Sequence, residues 1–158
     1  MRWGEFAAAE PALAADVRRL LEAGNHLYLA TIREDGAPRI SGTEIHFSPD
    51  SAELWLGAMP RSRKALDLLR DPRFALHGRS EDPPDWSEDA KIAGTVVPAC
   101  ASHARALLDE AGFPADRDGA VFLVDMNEAV LTRLGDPPDH LDLTLWKPGK
   151  QPRTMRVE

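Results

Sequence analysis

The segment Gly57-Ala58-Met59-Pro60-Arg61-Ser62-Arg63-Lys64 sets three cations beside a Pro and a Ser that suit a helix start. Cations in a first helical turn oppose the helix dipole, which favours anions there by about 0.3–1 kcal/mol per charge. An anion docked on the free backbone N–H groups removes that conflict, and phosphate is the natural choice. The alternative is a solvated basic turn that pairs with Asp67 or Asp71, and spacing alone divides the two evenly. A second segment, Arg39-Ile40-Ser41-Gly42-Thr43-Glu44, puts a glycine inside a strand. That weakens packing unless something must approach the backbone closely. Ser41 and Thr43 share one strand face and offer hydroxyl donors. Here the alternative is a bulge in a curved strand.

Other chemistries find less support. The histidines at 26, 46, 77, 103 and 140 lack the spacing of a helical metal site, so no metal site is expected. Cys100 is the only cysteine, which excludes disulfides within the chain and Cys-based zinc sites. No G-x-S-x-G elbow, G-x-G-x-x-G loop or P-loop occurs.

These segments need a scaffold. Glu10 to Gly24 reads as an amphipathic helix, with Leu13, Val17, Leu20 and Leu21 on one face. Strands are expected at Leu27–Ile32, Arg39–Phe47, Glu53–Ala58, Arg73–His77, Lys91–Val97, Ala120–Val124, Ala129–Leu134 and Leu141–Trp146. Asp35-Gly36 supplies the first hairpin turn. Helices are expected at Arg61–Arg70, stopped by Asp71-Pro72, and at Ser102–Gly112. Consecutive hairpins with few helices predict a mostly β fold, an antiparallel sheet closed into a barrel. The expected organisation is an N-terminal helix over 1–24, a barrel over 25–149 and a tail over 150–158.

With 158 residues, 43% hydrophobic and 28% charged, the chain suits one globular domain. A net charge of -7 argues against a protein that coats nucleic acid. No apolar run approaches the roughly 20 residues of a membrane helix, and no secretory signal is visible, so a cytoplasmic protein is expected. Charge is uneven: residues 81–89 carry five acids and no base, whereas Lys147, Lys150, Arg153 and Arg156 crowd the last twelve. Such runs are usually solvated faces.

The order of pieces resembles the pyridoxamine 5′-phosphate oxidase-like superfamily of FMN-binding split barrels, which includes the flavin/deazaflavin oxidoreductases. The resemblance runs through "LYLATIREDGAPRISGTEIHF", "ELWLGAMPRSRKALDLLRDPRFAL", "AKIAGTVV" and "HLDLTLWKPGK", with "SRKALDLLRDPR" its most specific part. It implies an FMN phosphate held by Ser62, Arg63 and Lys64 beside Arg61. It implies a flavin ring near Gly57, Ala58 and Met59, with Ser41, Gly42 and Thr43 at its edge. It also implies a homodimer with the cofactor between subunits and Trp146 reaching across, although Trp146 reads equally well as a buried strand-end aromatic. Two departures stand out. Ser41 occupies the place of the family's phosphate-binding arginine, and the tail "KPGKQPRTMRVE" has no histidine. The expectation is therefore an FMN-dependent oxidoreductase acting on a small molecule other than pyridoxamine phosphate, with F420 as the alternative cofactor. The competing expectations are a non-catalytic protein that binds or stores FMN, F420 or haem, and a barrel that only dimerises.

Overall fold

The computed structural model describes residues 1–50, 52–116 and 118–158. Helices α1 (Trp3–Ala9) and α2 (Pro11–Glu22) precede strands β1 (Leu27–Ile32), β2 (Pro38–Thr43), β3 (Ile45–Phe47) and β4 (Leu54–Ala58). Helix α3 (Arg63–Arg70), β5 (Arg73–His77) and β6 (Glu88–Pro98) follow. Then come α4 (Ala101–Glu110), β7 (Ala120–Leu134), β8 (Leu141–Trp146) and β9 (Arg153–Val157). Every pairing is antiparallel, in the order β2-β1-β5-β6-β7-β4-β3.

The two ends of that order are adjacent in sequence, joined only by Glu44. Laid flat, seven strands would hold their outer members about 29 Å apart, because neighbouring strands lie about 4.8 Å from each other. The one-residue link between Thr43 and Ile45 reaches roughly 7 Å. The sheet must therefore roll up until its edges meet at Glu44. With β2 and β3 taken as one bent strand, the result is a six-stranded split barrel, the mostly β antiparallel fold expected from the hairpins.

Strand alternation fills the interior. Leu27, Leu29 and Thr31 of β1 point inward with Leu54 and Leu56 of β4, Phe74, Leu76, Ile92, Phe122 and Val124. Helices α1 and α2 close one end with Trp3, Phe6, Val17, Leu20 and Leu21. The outer faces of β4 and β7 carry Trp55, Val121 and Leu123, covered by Leu107 and Leu108 of α4. Strand β7 is shared: Ala120–Leu123 pairs with β4, Ala129–Leu134 with β8, and β6 runs along most of its other edge.

Four expectations need correction. The stretch Arg39–Phe47 bends at Glu44 into two strands, because it must leave one edge of the sheet and join the other. Ala120–Leu134 is one strand, since the polar run Asp125–Glu128 is carried through by pairing with β6 and a bulge opposite Ala93/Gly94. Part of the tail is ordered as β9, whose backbone extends the β7–β8 pair. A first helix, α1, precedes the expected one; Pro11 sits in the opening turn of α2, so the two helices remain separate. The acidic stretch 81–89 also enters β6 at Glu88, where that carboxylate pairs with Arg19 and Arg133. No helix among the described residues is long and apolar enough to cross a membrane.

Candidate functional site

Helix α3 begins at Arg63, two residues after the expected start at Arg61. Ser62 is its N-cap, and the hydroxyl accepts from the Ala65 N–H at 3.4 Å. Arg61 thus precedes the helix, and only Arg63 and Lys64 occupy the first turn. Their backbone N–H groups remain available to an anion.

Asp67 and Asp71 do not reach this turn. Asp71 turns to Arg73. The Asp67 carboxylate, 5% exposed, accepts from Thr31 Oγ1 at 2.9 Å and Arg39 Nε at 2.6 Å, with Arg70 Nη2 at 3.4 Å. Burial alone would raise its pKa, but the hydrogen bonds from Arg39 and Thr31 outweigh that and hold it below the ordinary carboxylate value. Asp67 thereby ties α3 to β1 and β2, while Ala65 and Leu68 anchor the same helix in the core.

That attachment brings the two sequence segments together. Lys64 Nζ donates to the Gly42 carbonyl at 2.7 Å and to Thr43 Oγ1 at 3.3 Å. Burial pushes the lysine below its usual pKa, partly opposed by Glu44. The junction opens into a cavity of about 260 Å³ outside the barrel wall. Gly42, Thr43, Gly57, Ala58, Met59 and Lys64 all line it. A Cβ built on Gly42 meets nothing within 4 Å, so the glycine leaves an open approach to the strand backbone. Strand β2 stays in regular register with β1 at this point, with no bulge.

The remaining candidates sit elsewhere. Arg63 lines a neighbouring groove of about 460 Å³ with Arg33, Arg39 and Arg70. Ser41 shares the inward strand face with Thr43 and does not line the cavity, and neither do Arg61 and Ser62. Trp146 is 2% exposed, with its ring centroid 4.3 Å from that of Phe6 in the core.

The cavity also contains residues the sequence reading passed over. Glu44 and His46 follow Gly42 at alternate positions and line the same wall, a period-2 pattern that was available in the sequence. Leu108, Phe113 and Asp118 arrive from α4 and the chain after it, and no local signal marks them. The His46 ring stacks on Trp55 at 4.2 Å and 23°, with Phe113 edge-on at 5.5 Å. Its Nε2 is shut from solvent and has no hydrogen-bond partner among the described residues. Burial lowers the His46 pKa, again partly opposed by Glu44.

Residues 13–125 match the family described as pyridoxamine 5′-phosphate oxidase. The chain belongs to that family. Solved structures agree on the fold. PhzG from Burkholderia lata 383, crystallised with tetrahydrophenazine-1-carboxylic acid, aligns over 100% of this chain and 93% of its own, at 14% identity and a TM-score of 0.68. A pyridoxamine 5′-phosphate oxidase-related, FMN-binding protein from Nostoc punctiforme PCC 73102 aligns over 97% of both chains, at 16% identity and a TM-score of 0.60. An F420 reductase aligns over 71% of this chain and 94% of its own, at 20% identity and a TM-score of 0.52. Proteins with this fold therefore include one described as FMN-binding and one described as an F420 reductase.

Proposed function

We propose that the chain is an oxidoreductase that uses a flavin-type cofactor, FMN first and F420 as the alternative, on a small molecule other than pyridoxamine phosphate. The observation that carries this reading is the bridge from Lys64 to Gly42 and Thr43, which joins the basic start of α3 to an open strand backbone at one cavity. The residues present fit such a cofactor. Lys64 and the N–H groups of the α3 first turn would hold its phosphate, with Arg63 approaching from the neighbouring groove. Gly42, with no side chain and open space before it, would let a planar ring lie against β2, with Gly57 and Ala58 of β4 beside it. Bound there, a flavin supplies hydride exchange, while the chain supplies orientation and electrostatics.

Lys64→Ala and Arg63→Ala should each weaken cofactor binding by about 1.5–3 kcal/mol, as loss of a charge-assisted hydrogen bond does. That is roughly 10- to 150-fold in Kd. Fluorescence titration with FMN and F420 measures it and names the cofactor, and unchanged affinity in both variants would reject the phosphate turn. Turnover with a reduced nicotinamide or F420 donor then separates an enzyme from a storage protein.

The same reading includes a homodimer whose second subunit covers the cavity mouth. In support, the outer face of β2 and β1 exposes Ile40 at 75% and Tyr28 at 60%, and Tyr28 pairs in register with Gly42. These two exposed apolar side chains on neighbouring strands are the seat proposed for the partner surface. Ile40→Glu should yield a monomer in sedimentation at micromolar concentration and lose cofactor affinity with it. A wild-type chain that sediments as a monomer would sink the shared site.

A further inference from the structure

The chain after α4 forms neither helix nor strand from Phe113 to Gly119 among the described residues. It nevertheless supplies Phe113, Asp118 and Gly119 to the lining of the cavity. Two local devices fix where this segment runs. The first is the end of α4, where Gly112 turns the chain at a φ of 78°. The Gly112 N–H donates to the Asp109 carbonyl at 3.0 Å, and the Phe113 N–H to the Leu108 carbonyl at 2.9 Å. A glycine-closed helix end of this kind brings the residue after the glycine against the last turn. Phe113 therefore joins Leu108 in one apolar cluster, and both line the cavity. The second device is Arg105. Carbonyls in an irregular segment need donors that no strand ladder supplies. The Arg105 guanidinium donates to three in succession: Nη2 to Phe113 at 3.2 Å, and Nη1 to Pro114 and Ala115 at 3.4 Å each. Asp109, one turn further along α4, holds the same head at 2.6 Å. Only a planar, forked cation can serve several carbonyls in this way, so lysine is no substitute. Thus held, the Phe113 ring stands edge-on to His46 at 5.5 Å and tilted to Trp55 at 6.4 Å. Arg105 itself is not among the residues that line the cavity.

We propose that Arg105 is a positioning residue for this cavity. By clamping the 113–115 backbone it keeps Phe113 in the wall, and through that wall it sets how long a bound ligand is retained. The inference rests on the cavity being the cofactor site proposed above. It goes beyond that reading by assigning ligand retention to a side chain that does not reach the cavity.

The test has one arm without ligand and one with it. In the ligand-free protein, Arg105→Met keeps the aliphatic stem and removes the fork. The ring-proton resonances of Phe113 should then move toward those of an exposed phenylalanine, while those of the core residues Phe6 and Phe122 stay in place. In the second arm, FMN release and association are followed by stopped-flow fluorescence, with F420 in its place if titration names that cofactor. Arg105→Met should speed release about tenfold and leave association within about twofold, since a loosened wall acts on the dissociation rate. Arg105→Lys, which keeps the charge without the fork, should recover little of the loss. Phe113→Ala should also speed release about tenfold, and the double variant should match it rather than reach about a hundredfold, because the arginine acts through the ring. Effects that multiply in the double variant would overturn the proposal, as would unchanged release in Arg105→Met. A Phe113 resonance that does not move in Arg105→Met, in a protein that binds the cofactor normally, would reject the clamp alone. A wild-type chain that binds neither FMN nor F420, with the Phe113 shift as expected, would reject the cofactor reading and the retention role that rests on it.

Discussion

Replacing Asp67 by Asn should lower the free energy of unfolding by about 3–5 kcal/mol at neutral pH, the range for breaking one side of a buried ion pair. The carboxylate satisfies Thr31, Arg39 and Arg70 from a nearly sealed position. Asn offers one carbonyl oxygen in place of two charged ones, and its NH2 group would face the Arg39 guanidinium, itself only 24% exposed. The loss is pH-dependent with a definite sign. Because the folded pKa of Asp67 lies below its ordinary value, its contribution is complete above about pH 4 and disappears as pH falls through the folded value. Urea unfolding of both proteins should show a large gap at pH 7 that narrows in acid. A gap that stays constant down to pH 2 would mean that the ionised carboxylate contributes nothing. Loosening Asp67 also frees α3 from β1 and β2, so the variant should lose cofactor affinity at temperatures where it is still folded.

Gly94→Ala should destabilise by about 3 kcal/mol or more. A Cβ at this position would lie 2.1 Å from the Asp125 carbonyl oxygen and 3.0 Å from the Met126 Cα. Both obstacles are backbone of the paired strand at the bulge, so no side chain can move aside. Overpacking costs typically 1–3 kcal/mol, and the clash here is at the severe end. Gly42→Ala is the matched control, since its Cβ meets nothing. It should leave the unfolding midpoint within the equivalent of about 0.5 kcal/mol while lowering cofactor affinity, because the methyl group fills the space a ring would use. If Gly94→Ala proves as stable as wild type, the close approach of β6 and β7 is wrong. If Gly42→Ala leaves cofactor binding intact, the ring does not lie on β2.

Much of this molecule is written in local sequence. Leu27–Ile32, Arg73–His77 and Leu141–Trp146 are strands with the bounds their composition predicts, and Ser62 caps the helix it precedes. Two of the misreadings share one cause. Asp125–Glu128 looks like a turn because its residues are polar, but a strand paired along its edges continues through them. The split at Glu44 depends on closure of the sheet, which no window of residues contains. Trp146 shows the same limit from the other side: nothing near it in sequence indicates that Phe6, from the far end of the chain, fills its face. At the candidate site, the basic turn and the strand glycine stand out in the sequence because each breaks a local rule, and the fold brings Lys64 and Gly42 to one cavity. Phe113 and Leu108 obey theirs and do not stand out.

The one-residue joint at Glu44 has a kinetic consequence. The two edges it connects meet at almost no loop-closure cost. The ring is completed one strand away, where β4 pairs with β7 across the intervening α3, β5, β6 and α4. The candidate cavity spans both places, touching Gly42 and Glu44 at the joint and Gly57, Ala58 and Ala120 at the seam. A ligand seated there grips a seam whose long-range contacts are among the last to form. It should therefore lengthen the lifetime of the native barrel, slowing its opening while leaving the rate of its assembly unchanged.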